Sequence, residues 1–417
     1  MQQKNILYLS YDGMTDPLGQ SQVLPYLVGL SAMGYRFWLI SFEKADKFDT
    51  FHQQISDICE RHHIHWLPQI YHKSPPVLST LYDLWVMYRQ AISVINKHPI
   101  EATHCRSYLS AVIGRRLWQR HKIPFLFDMR GFWADERIEG GIWDKKTWLY
   151  RQIYHFFKHQ ERKFLLDAQH IVTLTQKAVE IIQQWQLPRP NMPISVIPCC
   201  ADTALFSPEK YSTQDIEDLR TQLGIKPNDI LIAYIGSLGT WYMLPEMLDF
   251  FAILQQHLPN THLLLLNNQV QEQQTAQKAI EQRALQQVHI LGTNYAKVPR
   301  YIAASDWGLF FIRPTFSKQA SSPVKLGEIL AMDTPIICNA GVGDVDAVLR
   351  QHGVGCVVEE FNENAYQTTA QQLQTGYRPP DGLMRTTALQ YFSLEKGVQL
   401  YAKIYQQLSA MSAQQKA

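Results

Sequence analysis

Lys325 and Glu328 stand three positions apart in "SSPVKLGEILAMDTPIICNAGVGD", a stretch that reads as a helix followed by a buried strand. Ser322 suits an N-cap and Pro323 the first helical position. A lysine in the first turn opposes the helix dipole unless an anion shares the site, and the free amides of that turn attract one. A carboxylate one turn later lies on the same helical face. The set fits a nucleotide, with its diphosphate at the helix start and its ribose hydroxyls on Glu328. The same spacing also fits an exposed first turn with an ordinary Lys–Glu pair, worth only about 0.2–0.5 kcal/mol.

Other loops offer related chemistry. After the strand "TPIIC", Gly341 and Gly343 in "NAGVGDVDAVLRQHG" would let the backbone approach a ligand, a plain turn being the alternative. In "YDGMTDPLGQSQVLPYL", Gly19 and Gln20 stand just ahead of a helix, where amides meet phosphate. That loop lacks the G-x-G-x-x-G fingerprint, which disfavours an NAD site. Charged residues gather at two strand ends. His104 and Arg106 lie in "HCRSY"; Asp128, Arg130, Asp135 and Glu136 lie in "IPFLFDMRGFWADE". They read as acceptor-side or catalytic groups, or as a salt-bridge network shaping a wall.

These loops need strands to hold them. Nearly continuous apolar runs at "NILYLSY" and "RFWLISF", separated by a helical stretch, form a βαβ unit. "ATHCRS", "IPFLFDM" and "HIVTLT" continue it. A second series begins at "DILIAYIGS" and runs through "HLLLLNN", "VHILGT", "WGLFFI" and "TPIICNA". The alternation predicts an α/β protein of two doubly wound, Rossmann-like domains facing across a cleft. Five prolines between Leu187 and Pro208 mark the joint. The expected domains are 1–190 and 191–385, with a C-terminal helix over 386–417 that could pack back on the first. The Gln-rich stretch "NNQVQEQQTAQKAIEQRALQQ" reads as an exposed helix, and "MSAQQKA" as a frayed end.

Composition removes several classes. The 417 residues carry a net charge of +2 with no long basic run, which argues against nucleic acid. Six cysteines without CxxC or HExxH spacing predict reduced thiols and no metal site. No run approaches the roughly 18–20 apolar residues that span a bilayer, and the amino terminus lacks a signal-peptide core. The expectation is a cytoplasmic protein. Ile142 to Leu166 holds six Lys/Arg and seven aromatic residues. That mixture fits either peripheral contact with the inner face of the plasma membrane or a core-facing stripe with a solvated basic face.

Together these segments resemble the family 4 glycosyltransferases, retaining enzymes of the GT-B fold. The resemblance rests on "ILYLSYDGMTDPLGQSQVLPYLVGLSAMGYRFWLISFEK", "VIPCCADTALFSP", "AYIGSLGTWYMLPEMLDFF", "VPRYIAASDWGLFF" and the stretch around Lys325. It implies a carboxyl-terminal domain that holds a nucleotide-diphosphate sugar and an amino-terminal domain that receives the acceptor. Glu328 matches the family's second motif glutamate, which holds the ribose; the first falls on Ala320. Lys325 matches a phosphate contact of the branch with a Pro-x-Lys-x-x-Glu pattern. The family's Arg/Lys pair after the first strand of the second domain is replaced by "GSLGTWYML", where Gly236, Ser237 and Thr240 offer amides and hydroxyls. Arg130 stands about where many members place a histidine near the donor sugar.

The resemblance implies no cofactor and no metal, the nucleotide-sugar being a co-substrate. The acceptor would be a glycan or a lipid-linked sugar in polysaccharide or glycolipid assembly. Retention would follow from front-face attack, or from a double displacement with Asp128 or Glu136 as nucleophile. A nucleotide-sugar epimerase and a silent nucleotide-sugar-binding protein are the alternatives, the latter because of Ala320 and the missing Arg/Lys pair.

Overall fold

The computed structural model describes residues 4–416. The first sheet is built from β1 (Lys4–Ser10), β2 (Tyr35–Glu43), β3 (Ile64–Ile70), β4 (Ala102–Arg106), β5 (Phe125–Asp128), β6 (His170–Thr173) and β7 (Ile194–Val196). Its spatial order is 3-2-1-4-5-6-7 and every pairing is parallel. The second contains β8 (Ile230–Ile235), β9 (Thr261–Leu266), β10 (Val288–Leu291), β11 (Trp307–Phe310), β12 (Ile336–Asn339) and β13 (Gly355–Val358), in the order 10-9-8-11-12-13. Both orders reverse beside their own first strand. Ligands bind at such switch points, outside the carboxyl ends of the strands.

β9, β11 and β12 are fully buried and β1 and β2 nearly so, with the apolar runs that a sheet covered on both faces requires. Three strands have no such signature. β3 carries Pro68 and is only partly buried, which an edge strand tolerates. β7 has three half-buried residues, and β13 is the short edge strand "GCVV".

The chain divides at Pro198/Cys199 and again at Ser393/Leu394, rather than at 190 and 385. β7 extends the first sheet past the proline-rich segment. Helix Leu383–Tyr391 stays with the second unit, where the Arg385 guanidinium donates to the carbonyls of Phe206 and Ala331. Helix Leu394–Lys416 belongs to the first unit. There the Tyr35 hydroxyl donates to the Ala402 carbonyl at 2.9 Å. The helix continues to Lys416, through most of "MSAQQKA", and Ala417 lies outside the described residues.

All six cysteines are buried. Among the described residues, no helix is long and apolar enough to cross a membrane.

Candidate functional site

Helix Val324–Ala331 is buried along its whole length from Lys325 onward. Ordinary surface helices hide one stripe only. Its two charged residues are therefore withdrawn from water, Lys325 at 7% and Glu328 at 5% exposure. Among the described residues, the Lys325 Nζ has no hydrogen-bond partner. It sits 3.6 Å from the ring centre of Tyr242 and 4.2 Å from that of Tyr234. Burial pushes the Lys325 amine well below its ordinary value, against the pull of Glu328. Burial also raises both phenols, Tyr242 to about 12, so the two rings stay neutral. Glu328 accepts the hydroxyl of Tyr295 at 2.5 Å. Burial raises this carboxyl, while Tyr295 and Lys325 oppose the rise. This arrangement replaces the exposed Lys–Glu pair of the simpler reading.

Loops at the carboxyl ends of β8, β11 and β12 surround the helix start. Gly236, with φ +117°, passes so close that a Cβ there would lie 3.3 Å from the Lys325 Nζ. Trp241 and Tyr242 follow. Tyr242 bridges to Ile312, and the Trp241 carbonyl accepts the Arg313 amide at 2.9 Å. Lys318 lies with its Nζ 3.9 Å from the Trp241 ring centre. The Gly343 amide donates to the Lys318 carbonyl at 2.9 Å, and Gly341, with φ +85°, packs on Pro314. Gly236, Ser237, Lys325, Gly341 and Gly343 are thus brought to one end of one sheet.

Several expected contacts are different. Pro323 has extended backbone and occupies the N-cap position. The Ser322 hydroxyl accepts the Cys199 amide at 3.2 Å instead of capping the helix. The Gly236 amide donates to the Leu266 carbonyl at 2.9 Å, so it is not available to a phosphate. Glu272 reaches the β8 loop from the Gln-rich helix Val270–Gln282. It takes the Ser237 hydroxyl at 2.9 Å, the Leu238 amide at 2.7 Å and the Asn267 side-chain amide at 2.6 Å. An internal carboxylate already fills this small anion nest. Lys318, Tyr234, Tyr242, Glu272 and Tyr295 were not legible as site residues. Their spacing carries no signal, since folding alone brings them to Lys325 and its loop.

In the first unit, Gly19 and Gln20 lie in a six-residue helix, Pro17–Gln22. A Cβ on Gly19 would come within 2.2 Å of the Gly13 carbonyl oxygen, so this glycine serves close packing. Gln20 donates its side-chain amide to the Thr15 carbonyl at 3.0 Å. The preceding loop also binds an internal carboxylate. Glu43, at the end of β2, accepts from Met14 N at 2.9 Å, Thr15 N at 3.0 Å and the Thr15 hydroxyl at 2.6 Å. A phosphate at this loop would have to displace Glu43.

The charged cluster divides in two. Asp135 is held by the Tyr154 hydroxyl and the Lys158 ammonium, both at 2.8 Å, on helix Trp148–Asp167. That is the structural network. Glu136 is half-buried in the first turn of helix Trp133–Glu139. Asp128 stays with His104, Arg106 and Arg130. Its Oδ2 lies 3.3 Å from His104 Nε2 and its Oδ1 3.9 Å from Arg130 Nη1. Arg106 reaches Asp12 at 3.3 Å. Arg130, just past β5, holds φ +57°, a strained value for a residue with a side chain and one that recurs at functional sites.

A small pocket adjoins this group, and Tyr8, Tyr26, Leu27, His104, Asp128 and Tyr405 are among the residues that line it. His104 Nδ1 lies 2.7 Å from the Tyr405 hydroxyl. Burial pushes this imidazole below its ordinary value, against the pull of Asp128. Burial raises the Asp128 carboxyl, but Arg130 and His104 more than offset it and hold the group low. The neutral imidazole then donates from Nε2 to Asp128 and accepts from Tyr405. An unfolded histidine, at about 6.5, takes a proton before the folded one does. The stability contributed here is therefore present above about pH 6.5 and is lost as pH falls toward the folded value. Melting curves between about pH 8 and 5 should show this fall in wild type and a shallower one in His104→Asn. Parallel curves would remove the assignment.

The amino-terminal part of the chain, residues 22–205, matches the model of glycosyltransferase family 4, and residues 215–377 match that of the group 1 glycosyl transferases. No curated protein sequence gives a significant match. Among solved structures, sucrose-phosphate synthase from Thermosynechococcus elongatus is similar with a TM-score of 0.74 at 16% identity, over 98% of this chain and 100% of that one. The HepE protein of Anabaena, solved in complex with UDP and glucose, gives 0.67 at 16% over 96% and 98%. WaaG, a glycosyltransferase involved in lipopolysaccharide biosynthesis, gives 0.60 at 16% over 98% of both chains. At these identities the likeness establishes the fold, which is GT-B. The two family matches, which follow one another along the chain, establish that it belongs to the group 1 glycosyltransferases and carries a family 4 amino-terminal domain.

Proposed function

We propose that this protein is a retaining glycosyltransferase moving a sugar from a nucleotide-diphosphate sugar to a glycan or lipid-linked acceptor in polysaccharide or glycolipid assembly. The observation that carries the donor assignment is the Lys325 amino group, buried without a hydrogen-bond partner among the described residues, beside Gly236 and two tyrosine rings. A buried charge that the protein leaves unpaired is costly, and a diphosphate at the helix start would pair it. When the sugar–phosphate bond breaks, charge grows on the leaving diphosphate. A fixed ammonium there stabilises the transition state more than the ground state. The acceptor proton passes to that leaving phosphate in a front-face attack, which needs no carboxylate nucleophile.

Glu328 holds the ribose once Tyr295 yields its hydrogen bond. Glu328→Gln should weaken UDP binding several-fold and leave inorganic pyrophosphate affinity unchanged, as read by calorimetry. Equal loss for both ligands would move Glu328 out of the ribose role. The reading as a whole is tested by titrating wild type with UDP, GDP, ADP and dTDP, then turning over the matching sugar nucleotide. Proton NMR of the first product formed reads its anomer. Binding of one diphosphate and a product with the donor's configuration support the proposal. An inverted product, or no binding by any of the four, rejects it.

We place the protein in the cytoplasm at the inner face of the plasma membrane. On helix Trp148–Asp167, Phe157 and Phe164 face the core, whereas Trp148, Leu149 and Phe156 are exposed, as is Ile142 before it. Lys145, Lys146 and Arg151 lie along the same stretch. Exposed apolar rings among lysines and arginines suit an anionic bilayer surface.

A further inference from the structure

The loop between β3 and helix Leu78–Lys97 holds a polar centre that the donor site does not use. The Asp83 side chain is fully buried. Its Oδ1 lies 2.6 Å from His72 Nδ1; its Oδ2 accepts the Tyr11 hydroxyl at 2.8 Å and the His72 amide at 3.2 Å. One buried carboxylate thus fixes both the backbone and the ring of a histidine whose own side chain is 41% exposed. Tyr11 is the first residue beyond β1, and His72 follows β3 by two residues. Both therefore stand at the carboxyl ends of parallel strands, where open α/β sheets bind ligands.

Anchoring the loop needs only the amide contact. The ring contact does something else: it sets the tautomer. With Nδ1–H directed at Asp83, Nε2 carries the lone pair on the exposed side and can accept a hydrogen bond. Val77, the residue before the helix, has φ +69°, a strained value for a β-branched side chain. The loop shape is imposed on its sequence.

Aromatic rings continue the exposed side of His72. Tyr82 meets its ring edge-on at 5.2 Å between centroids, and Trp85 lies 5.8 Å from Tyr82. Tyr82 is 51% and Trp85 54% exposed. Large rings left open to water beside an oriented acceptor mark a binding site rather than a core. A pyranose matches both features, having an apolar face of C–H groups for the rings and hydroxyls for the imidazole.

We propose that His72, oriented by Asp83 and Tyr11 and flanked by Tyr82 and Trp85, binds a sugar ring of the acceptor through a hydroxyl-to-Nε2 hydrogen bond. This rests on the glycosyltransferase reading above and assigns its acceptor site to named residues of the first unit. His72 and Trp85 touch the sugar; Asp83 and Tyr11 are positioning residues.

The test is saturation-transfer NMR of the full chain with the methyl glycosides of glucose, galactose, mannose and N-acetylglucosamine. At least one should receive saturation, and Trp85→Ala and His72→Gln should each lower that signal several-fold. Trp85 lies on the surface, so its variant should fold. In the same variants the affinity for the nucleoside diphosphate should be unchanged, which separates failure here from failure of the donor assignment. Saturation that both variants leave intact overturns the proposal, as does its absence for all four glycosides. Trp85-dependent sedimentation with phosphatidylglycerol vesicles, without glycoside saturation, would make this face lipid-binding and overturns it equally.

Discussion

Replacing Lys325 by alanine should weaken nucleoside diphosphate binding by about 1.5–3 kcal/mol, the range for losing a hydrogen bond to a charged group. That is about 10- to 150-fold in Kd. The unliganded variant should be as stable as wild type or more so, because the substitution removes a buried amino group that the described residues do not hydrogen-bond. The rings of Tyr234 and Tyr242 offset only part of that burial, since a desolvated cation–π contact is worth about 2 kcal/mol.

The depressed proton affinity of Lys325 gives a second readout. A bound diphosphate raises that affinity again. Between the free and bound values, binding takes up a proton, and affinity falls as pH rises through that window. Calorimetry in buffers of different ionisation enthalpy should therefore detect proton uptake by wild type and none by Lys325→Ala. Equal affinities in the two proteins would remove the phosphate role.

Why this lysine was legible in the sequence, and its surroundings were not, follows from the range of each signal. Helical spacing relates Lys325 to Glu328, and a proline marks the helix start; both signals are local. The rings that box the ammonium come from β8 and the loop beyond it, and the hydroxyl on Glu328 from the turn after β10. Only the fold connects them. The same limit explains the misread cap. Ser-Pro reads as an N-cap and first helical residue, yet Pro323 keeps an extended backbone and Ser322 bonds Cys199, more than a hundred residues away.

Gly19 reads in the sequence as a place where amides meet phosphate, whereas the structure shows a position that excludes a side chain. The excluding neighbour is the backbone of Gly13 and Met14 rather than a phosphate. Strands showed where burial on both faces leaves an unbroken apolar run. They were missed at the edges, in β3, β7 and β13, where one side of the strand has no neighbour and the composition relaxes.

Glu43→Ala should cost about 3–5 kcal/mol of folding stability, because it leaves several buried donors unpaired at about 1–3 kcal/mol each. Glu43 is 3% exposed and accepts from four groups: the amides of Met14 and Thr15, the Thr15 hydroxyl, and the Ser41 hydroxyl at 2.5 Å. Alanine would leave these donors without an acceptor in a place water does not reach. Glu43→Gln should recover only part of the loss, because its amide nitrogen must turn toward donors. Denaturant unfolding reads the effect as a lower midpoint at an unchanged slope. A loss below about 1 kcal/mol would mean that water replaces the carboxylate and that the loop is open to ligands.

The expected size bears on function as well as stability. Glu43 in the first unit and Glu272 in the second each close the loop after the first strand of their sheet onto a carboxylate of the protein. Glu272 is only half-buried, so Glu272→Ala should cost less. With these amides engaged, the proposed diphosphate at the second sheet would find its charge partner in Lys325.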